Sequence, residues 1–521
     1  MSDLSTFETP NSRFLGRAGL GGFPWFTAIA LYTISYGWFW NIRNSFWRDD
    51  WWAFYESGIS HWWYELGLPK WTFANKWLFE LIGPGFMRAV VFFLFFMSGI
   101  CLYGILEKFS YVNEKNQKLA VLLFLILPFN STRATLMVFH YSTAYFYFFF
   151  AWYLIITFKS VWIKVLAAVL FFISFQMHSL PVFFALPILH LFSLEKIKEL
   201  KQLIIWVRRN LFLILLPPLY WTLRWFFWNA KIQGYHNPSI PQLVLLSKIL
   251  VVPSLIFVLI LVLARYRFVN FRGNLYCIAV SLFAIFLGLA PYIAFGCFSG
   301  RFAEAGISNL RTGYWIYFLG ASGWEDRFLM LQPLGVALII CGFLSFIPQK
   351  LKRMQMLLQN LTLSVCVMLN LGFGFEYMVH YAKQKEVTKE LVSAGYDRAF
   401  TDYAIIDRTA YLNVRGVVDE GWLYLVPIAY GLAPDQLNIS YECRSSDEVR
   451  LVVIDGEASY WNALQSWLNR RNFGFSVKIL DGPTPCTADF VEYARGKNQI
   501  PIVFYFIDAK SNQDGIMKNQ I

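Results

Sequence analysis

Charge is what this chain has least of. Only 15% of its 521 residues are Asp, Glu, Lys or Arg, where a soluble protein carries about 25%. The shortfall is concentrated in long apolar runs, several of which reach the roughly 17–25 residues needed to cross a bilayer as a helix. That excludes a soluble enzyme, a disordered chain and a fibrous repeat. It also excludes an outer-membrane barrel, whose alternating segments are about ten residues long. Walker-type phosphate loops, dinucleotide-binding glycine patterns, HExxH and CxxC are all missing. Nothing therefore points to ATP, NAD or a thiolate-held metal, and no nucleotide cofactor is expected. No internal repeat or low-complexity tract marks a transporter built of related halves. Arg13 and Arg17 precede the first apolar run, but no short apolar core with a small-residue cleavage site follows. That run is expected to stay in the protein as an anchor.

What the chain has instead is apolar and aromatic surface: 57% of residues are hydrophobic and 19% aromatic, with a mean hydropathy of +0.45. This composition predicts an all-α polytopic membrane protein. About eleven spans can be read, near 22–41, 85–106, 119–137, 141–158, 161–178, 180–194, 210–228, 247–264, 274–297, 328–347 and 358–378. Pro128 interrupts the third. The net charge of +12 fits the positive-inside rule better than nucleic-acid binding, because the basic residues fall in alternate loops. Lys108, Lys115 and Lys118 are followed by Lys159 and Lys164, then by Lys196, Lys198, Lys201, Arg208 and Arg209. Arg265, Arg267 and Arg272 come next, then Lys350, Lys352 and Arg353. The opposite loops carry most of the carboxylates. The pattern puts residues 1–21 in the cytoplasm and, with an odd span count, the C-terminal region outside the cytoplasmic (inner) membrane.

That region, 381–521, has ordinary charge and short β-like runs at Tyr403–Ile406, Leu451–Ile454, Ser476–Leu480 and Ile500–Ile507. A helical stretch at Ala458–Arg471 separates two of them, so a small extracytoplasmic α/β domain is expected. Asp455-Gly456 follows a strand, where ligands often sit in such sheets, although an isolated Asp-Gly is more often a turn. Cys101, Cys277, Cys297, Cys341 and Cys366 lie in or beside spans and read as packing residues. Cys443 and Cys486, in the tail, are free to pair or not.

The segment between the first two spans, 42–84, is the most informative. It opens Asn41-Ile-Arg-Asn-Ser-Phe-Trp-Arg-Asp-Asp-Trp-Trp, placing Arg48, Asp49 and Asp50 just above the membrane. A carboxylate there can stay ionised and accept a proton from a hydroxyl, or hold a divalent cation. Arg48 can meet a phosphate or the aspartates themselves. Residues 51–81 follow, rich in Trp, Tyr and Phe at helical spacing, as suits helices lying in the interface plane. Exterior loops also carry acids to no purpose, and only the aromatic stretch behind the pair sets this one apart.

This arrangement resembles the GT-C class of polytopic glycosyltransferases, which use polyprenyl-phosphate sugars. The resemblance rests on Asp49-Asp50, the 51–81 segment, the span count and the C-terminal domain, in that order along the chain. It implies a transmembrane domain over 22–380 that transfers a sugar from a polyprenyl-phosphate donor to a glycan or lipid hydroxyl, at the outer face of the membrane. Asp49 or Asp50 would act as the base or hold a metal. Late outer loops of this class bind the lipid donor or shape the acceptor pocket, a role that would fall to Glu325, Asp326 and Arg327.

Other polar groups could serve the same site. Arg133, in the loop after the third span, has the fork that fits a phosphate; the alternative reading is an interfacial Arg that snorkels to water. His140 and His178 lie near the outer face and read either as site residues or as packing residues. Arg224 sits inside the seventh run, where a cation is costly. Two other functions compete. A flippase or transporter of lipid-linked sugar would use mid-membrane charge, and a polysaccharide polymerase or ligase would rely on outer Arg and His residues.

Overall fold

The structure is a computed structural model. It describes residues 23–45, 74–109, 114–228, 241–251, 272–294 and 329–396, apart from 130, 137, 178, 196–199 and 243. In the C-terminal part it describes 402–407, 422–432, 436–440, 449–455, 465, 468–469 and 475–480. The chain divides into two compact units, Met1–Tyr381 with Val414–Tyr424, and Ala382–Asn413 with Leu425–Ile521.

The first unit is a helical bundle. Its elements are α1 (Trp25–Tyr36), α2 (Ala74–Glu107), α3 (Glu114–Ile126), α4 (Phe139–Thr157), α5 (Val161–Ser174), α6 (Leu180–Phe183), α7 (Ala185–Ser193), α8 (Leu200–Ile214), α9 (Leu216–Phe227), α10 (Arg272–Ala294), α11 (Gln332–Ser345) and the first part of α12 (Lys352–Ala394). Among the described residues four stretches are long and apolar enough to cross a membrane: Phe79–Glu107, Lys201–Phe227, Cys277–Ala294 and Lys352–Ala394. The protein is thus mostly helical, and these stretches have the length and composition of membrane spans. Apolar side chains that would be a liability in water, such as Phe93, Trp162, Phe226 and Met368, stand exposed on helices of the bundle, as a lipid solvent permits.

Helix α3 is the centre of the bundle. From Leu119 to Ile126 every side chain is buried, the mark of a helix surrounded by protein, and it packs against α1, α2 and α11. Pro128 cannot continue the helix, so the last carbonyls of α3 need partners from elsewhere. Asn370 of α12 donates to the Ile126 carbonyl at 2.5 Å, and the Tyr36 hydroxyl donates to that of Leu127 at 3.2 Å. At the other end the Asn116 amide bonds Ser345 of α11, and the Gln117 amide bonds the Leu106 carbonyl at 3.0 Å. Ahead of them, the Lys118 ammonium lies 2.7 Å from the exposed Glu114 carboxylate and holds its pKa below the ordinary value.

Helix α2 is broken near its start. Gly83 has φ 73°, ψ 170°, and Pro84 follows; the positive φ suits glycine, and proline removes a helix hydrogen bond. Residues 74–82, which the sequence assigns to the interfacial segment, therefore form a separate helical stretch before the span proper. Cys101, Cys277, Cys341 and Cys366 are buried and free; Cys297, Cys443 and Cys486 lie outside the described residues.

The second unit contains a four-stranded sheet in the order β2-β1-β3-β4, with β1 Asp402–Asp407, β2 Asn438–Ser440, β3 Val449–Asp455 and β4 Ser476–Leu480. β1 pairs parallel with β2 and β3, and β4 runs antiparallel to β3. Val452, Val453 and Ile454 are buried in succession, as expected of a central strand covered on both faces. Three of these strands lie where the sequence places them, whereas β2 was not anticipated. The run 500–507 lies outside the described residues, as does nearly all of 458–471. Helix α12 ends on Gly395, at φ 75°, whose carbonyl accepts from the Arg450 guanidinium at 2.7 Å.

Candidate functional site

Several sequence-singled residues cannot be placed. Arg48, Asp49, Asp50, His178, Glu325, Asp326 and Arg327 all fall outside the described residues, together with most of the aromatic segment 51–81. What the structure defines is the corner of the bundle from which the first loop departs.

Helix α1 stops at Tyr36 and continues as a 3-10 turn over Gly37–Trp40. This exit is held firmly. The Trp38 indole donates to the Ser35 carbonyl at 2.9 Å and stacks on Tyr377, with centroids 5.2 Å apart at 14°. A Cβ on Gly374 would collide with the same indole. Beyond Trp40 the chain turns, and Ser45 closes back on Ile42 through its amide at 2.9 Å and its hydroxyl at 2.6 Å. Four residues later comes Asp49.

Arg88 of α2, 1% exposed, binds this exit from below. Its Nη1 donates to the Arg43 carbonyl at 2.7 Å and its Nη2 to the Ser45 carbonyl at 2.7 Å. Its Nε donates to the Ala134 carbonyl at 2.9 Å. Ala134 follows Arg133 in the short 3-10 turn Ser131–Ala134. One guanidinium therefore joins the start of the first loop to the turn that carries Arg133.

Arg133 is itself buried at 5% exposure. Its guanidinium carbon lies 3.4 Å from the centroid of the Tyr36 ring and 4.7 Å from that of Phe95. Tyr32 and Tyr145 are within electrostatic range of its charge, and Tyr145 packs on Phe95 at 5.0 Å. The side chain does not snorkel to water. It points into an aromatic enclosure formed by α1, α2 and α4, where a cation over ring faces is favourable.

His140 opens α4 and is also buried. Its ring centroid is 4.0 Å from that of Tyr141, and its backbone carbonyl accepts from the Gln176 amide at 3.0 Å. Arg224, with no exposed surface, lies in α9 beside Trp221 and Tyr220, with Tyr141 also in electrostatic range. The residues Arg133 and His140 thus meet different neighbours, α1 and α2 for the first and the α5–α6 turn for the second.

Arg88 is the functional candidate that sequence reasoning missed. A cation four residues past Pro84, just inside an apolar run, was a signal of the same kind as Arg224. Its acceptors are main-chain carbonyls, however, which leave no trace in the sequence.

Two further features lie elsewhere. An apolar recess lined by Leu102, Phe109, Trp152, Cys277 and Leu334 begins about 21 Å along α2 from Arg88, at 1.5 Å per residue. It is not part of this corner. In the second unit, Asp407 ends β1 and Asp455 ends β3, and the register pairs Asp407 with Ile454. The two acids therefore occupy the carboxyl edge of neighbouring parallel strands. Among the described residues no group of three or more His, Cys, Asp or Glu could hold a metal ion.

No protein-family model matches this chain, and neither a curated protein nor a solved structure is significantly similar to it.

Proposed function

We propose that this chain is a membrane glycosyltransferase that moves a sugar from a polyprenyl-phosphate donor to a hydroxyl of a surface glycan or lipid. It would act at the outer face of the cytoplasmic membrane, with about eleven spans, a cytoplasmic N-terminus and the sheet-containing unit outside. The observation that carries this reading is the triple hydrogen bond of Arg88, which ties Arg43 and Ser45 to the Arg133 turn. Asp49 lies four residues beyond Ser45, and four extended residues reach at most about 14 Å. That reach bounds how far an acid suited to activate a hydroxyl can stand from Ser45, which Arg88 joins to the turn that carries a cation suited to a phosphate.

In this scheme Asp49 or Asp50 takes the proton of the acceptor hydroxyl as its oxygen bonds to the anomeric carbon. The bond from that carbon to the phosphate oxygen breaks, and the departing polyprenyl phosphate keeps the electron pair. Arg133 and Arg327 neutralise that charge, as fixed donors do in a site closed to water. Arg48, His140, Glu325 and Asp326 bind donor or acceptor. A divalent cation on the two aspartates is the alternative use of the same acids. Replacing either aspartate by Asn in the purified chain should lower transfer at least about 100-fold without changing expression or thermal stability. Unaltered transfer by both single variants rejects the assignment.

Arg224 favours a second reading, transport of a lipid-linked sugar. A fully buried cation in an apolar helix is typical of a polar path through a membrane. Flipping of a labelled lipid-linked sugar by liposomes that persists in the Asp49→Asn variant and stops in Arg224→Leu would select it.

A further inference from the structure

Resting on the glycosyltransferase reading, we propose that Arg88 is a positioning residue: its guanidinium fixes the start of the first loop, at Arg43 and Ser45, against the turn that carries Arg133. Three nitrogens of one planar group each take a different carbonyl, on Arg43, Ser45 and Ala134, all within 2.9 Å. Because the group is rigid and planar, bonds to both loops at once set where one lies relative to the other. The first loop and the Arg133 turn are far apart in sequence, and helix α2 supplies the part that joins them. Other ties of the α1 exit, Trp38 on Tyr377 and the Asn41 amide on the Met378 sulfur at 3.4 Å, run to α12. Tyr36 also reaches the Arg133 turn, but through its ring face on the Arg133 side chain, which does not hold the main chain of residues 43–45 as Arg88 does.

A lysine keeps the charge but concentrates its donors at one point. A glutamine keeps a planar donor but is shorter and neutral. Neither can span the two loops, so both substitutions test the geometry rather than the charge alone. Reaction rates respond to small displacements of this kind: about 1 Å at a reacting group can cost on the order of 100-fold.

The test uses Arg88→Lys and Arg88→Gln in the full-length chain in nanodiscs, with two measurements. In amide hydrogen exchange, residues 41–45 and 131–136 should both exchange at least about tenfold faster than in the unaltered chain, with α3 and α11 unchanged. In transfer assays with a polyprenyl-phosphate sugar, kcat should fall about 100-fold, while KM for the acceptor stays within about twofold. Unchanged exchange in either segment overturns the clamp. Faster exchange with an unchanged kcat overturns the positioning role. If neither variant folds, the unaltered chain decides: amides at 41–45 and 131–136 exchanging as fast as an unstructured peptide overturn the proposal. If the unaltered chain transfers no sugar, the glycosyltransferase reading fails and the positioning role with it, while the exchange result still decides whether Arg88 joins the two loops.

Discussion

A guanidinium held between two aromatic rings gains from their faces as well as from its burial, and Arg133 is so placed between Tyr36 and Phe95. Tyr36 does two things at once, because its hydroxyl also holds the Leu127 carbonyl. Two substitutions separate the roles. Tyr36→Phe keeps the ring and loses one hydrogen bond, for an expected cost of about 1 kcal/mol. Tyr36→Leu also removes the ring face, and a desolvated cation–π contact adds about 2 kcal/mol. Thermal unfolding in detergent should rank them in that order; equal losses would mean that the ring contributes nothing to holding Arg133. The same corner shows what could be read in advance. Arg133 and His140 stood out as polar residues near the ends of apolar runs, but the inward orientation of Arg133 depends on rings contributed by other helices, which spacing along one segment cannot reveal. Arg88 was harder still to see, since carbonyl acceptors are common to every residue type.

At the scale of elements, α10 and α11 pack backbone close to backbone. A Cβ on Gly335 would lie 2.8 Å from the Ser281 carbonyl oxygen and 3.0 Å from the Ile285 nitrogen, both main-chain atoms that cannot swing aside. Gly335→Ala should therefore force the helices apart and destabilise the chain by about 1–3 kcal/mol, visible as a lower Tm. Asn370→Ala should cost a similar amount, about 1–3 kcal/mol, by leaving the Ile126 carbonyl without its donor. A Tm within error of the unaltered chain would show that water or a neighbouring group takes over. Helices α4, α5, α10 and α11 were legible as apolar runs, and the stop at Pro128 followed from proline's missing N–H; α8, which begins at Leu200, was not, because its first turns carry Lys201, Arg208 and Arg209 and read as a loop. The central position of α3 was not legible, because an apolar helix reads alike whether its surroundings are protein or lipid. In the second unit β1, β3 and β4 were legible from their β-branched runs. The three-residue β2 is too short to produce a pattern, and only its pairing with β1 defines it.

For the molecule as a whole, the positive-inside pattern makes a prediction independent of any enzymatic activity. Lys115 and Ser476 are both exposed. In a background with all seven cysteines replaced, Lys115→Cys should react with a membrane-impermeant maleimide only from the cytoplasmic side, and Ser476→Cys only from the outer side. The reverse labelling would turn the Arg88–Arg133 corner toward the cytoplasm, away from any outward-facing acceptor.

The enclosed position of α3 also bears on how the chain is made. Its Asn116 amide waits for Ser345, and its Ile126 carbonyl for Asn370, a residue 244 positions downstream. At about 5–20 residues per second, a ribosome needs roughly 12–50 s to supply that second partner. During that interval the segment must be sheltered by the insertion machinery or by provisional neighbours. Nascent chains arrested before residue 332 should consequently be poor at leaving the translocon and short-lived in the cell.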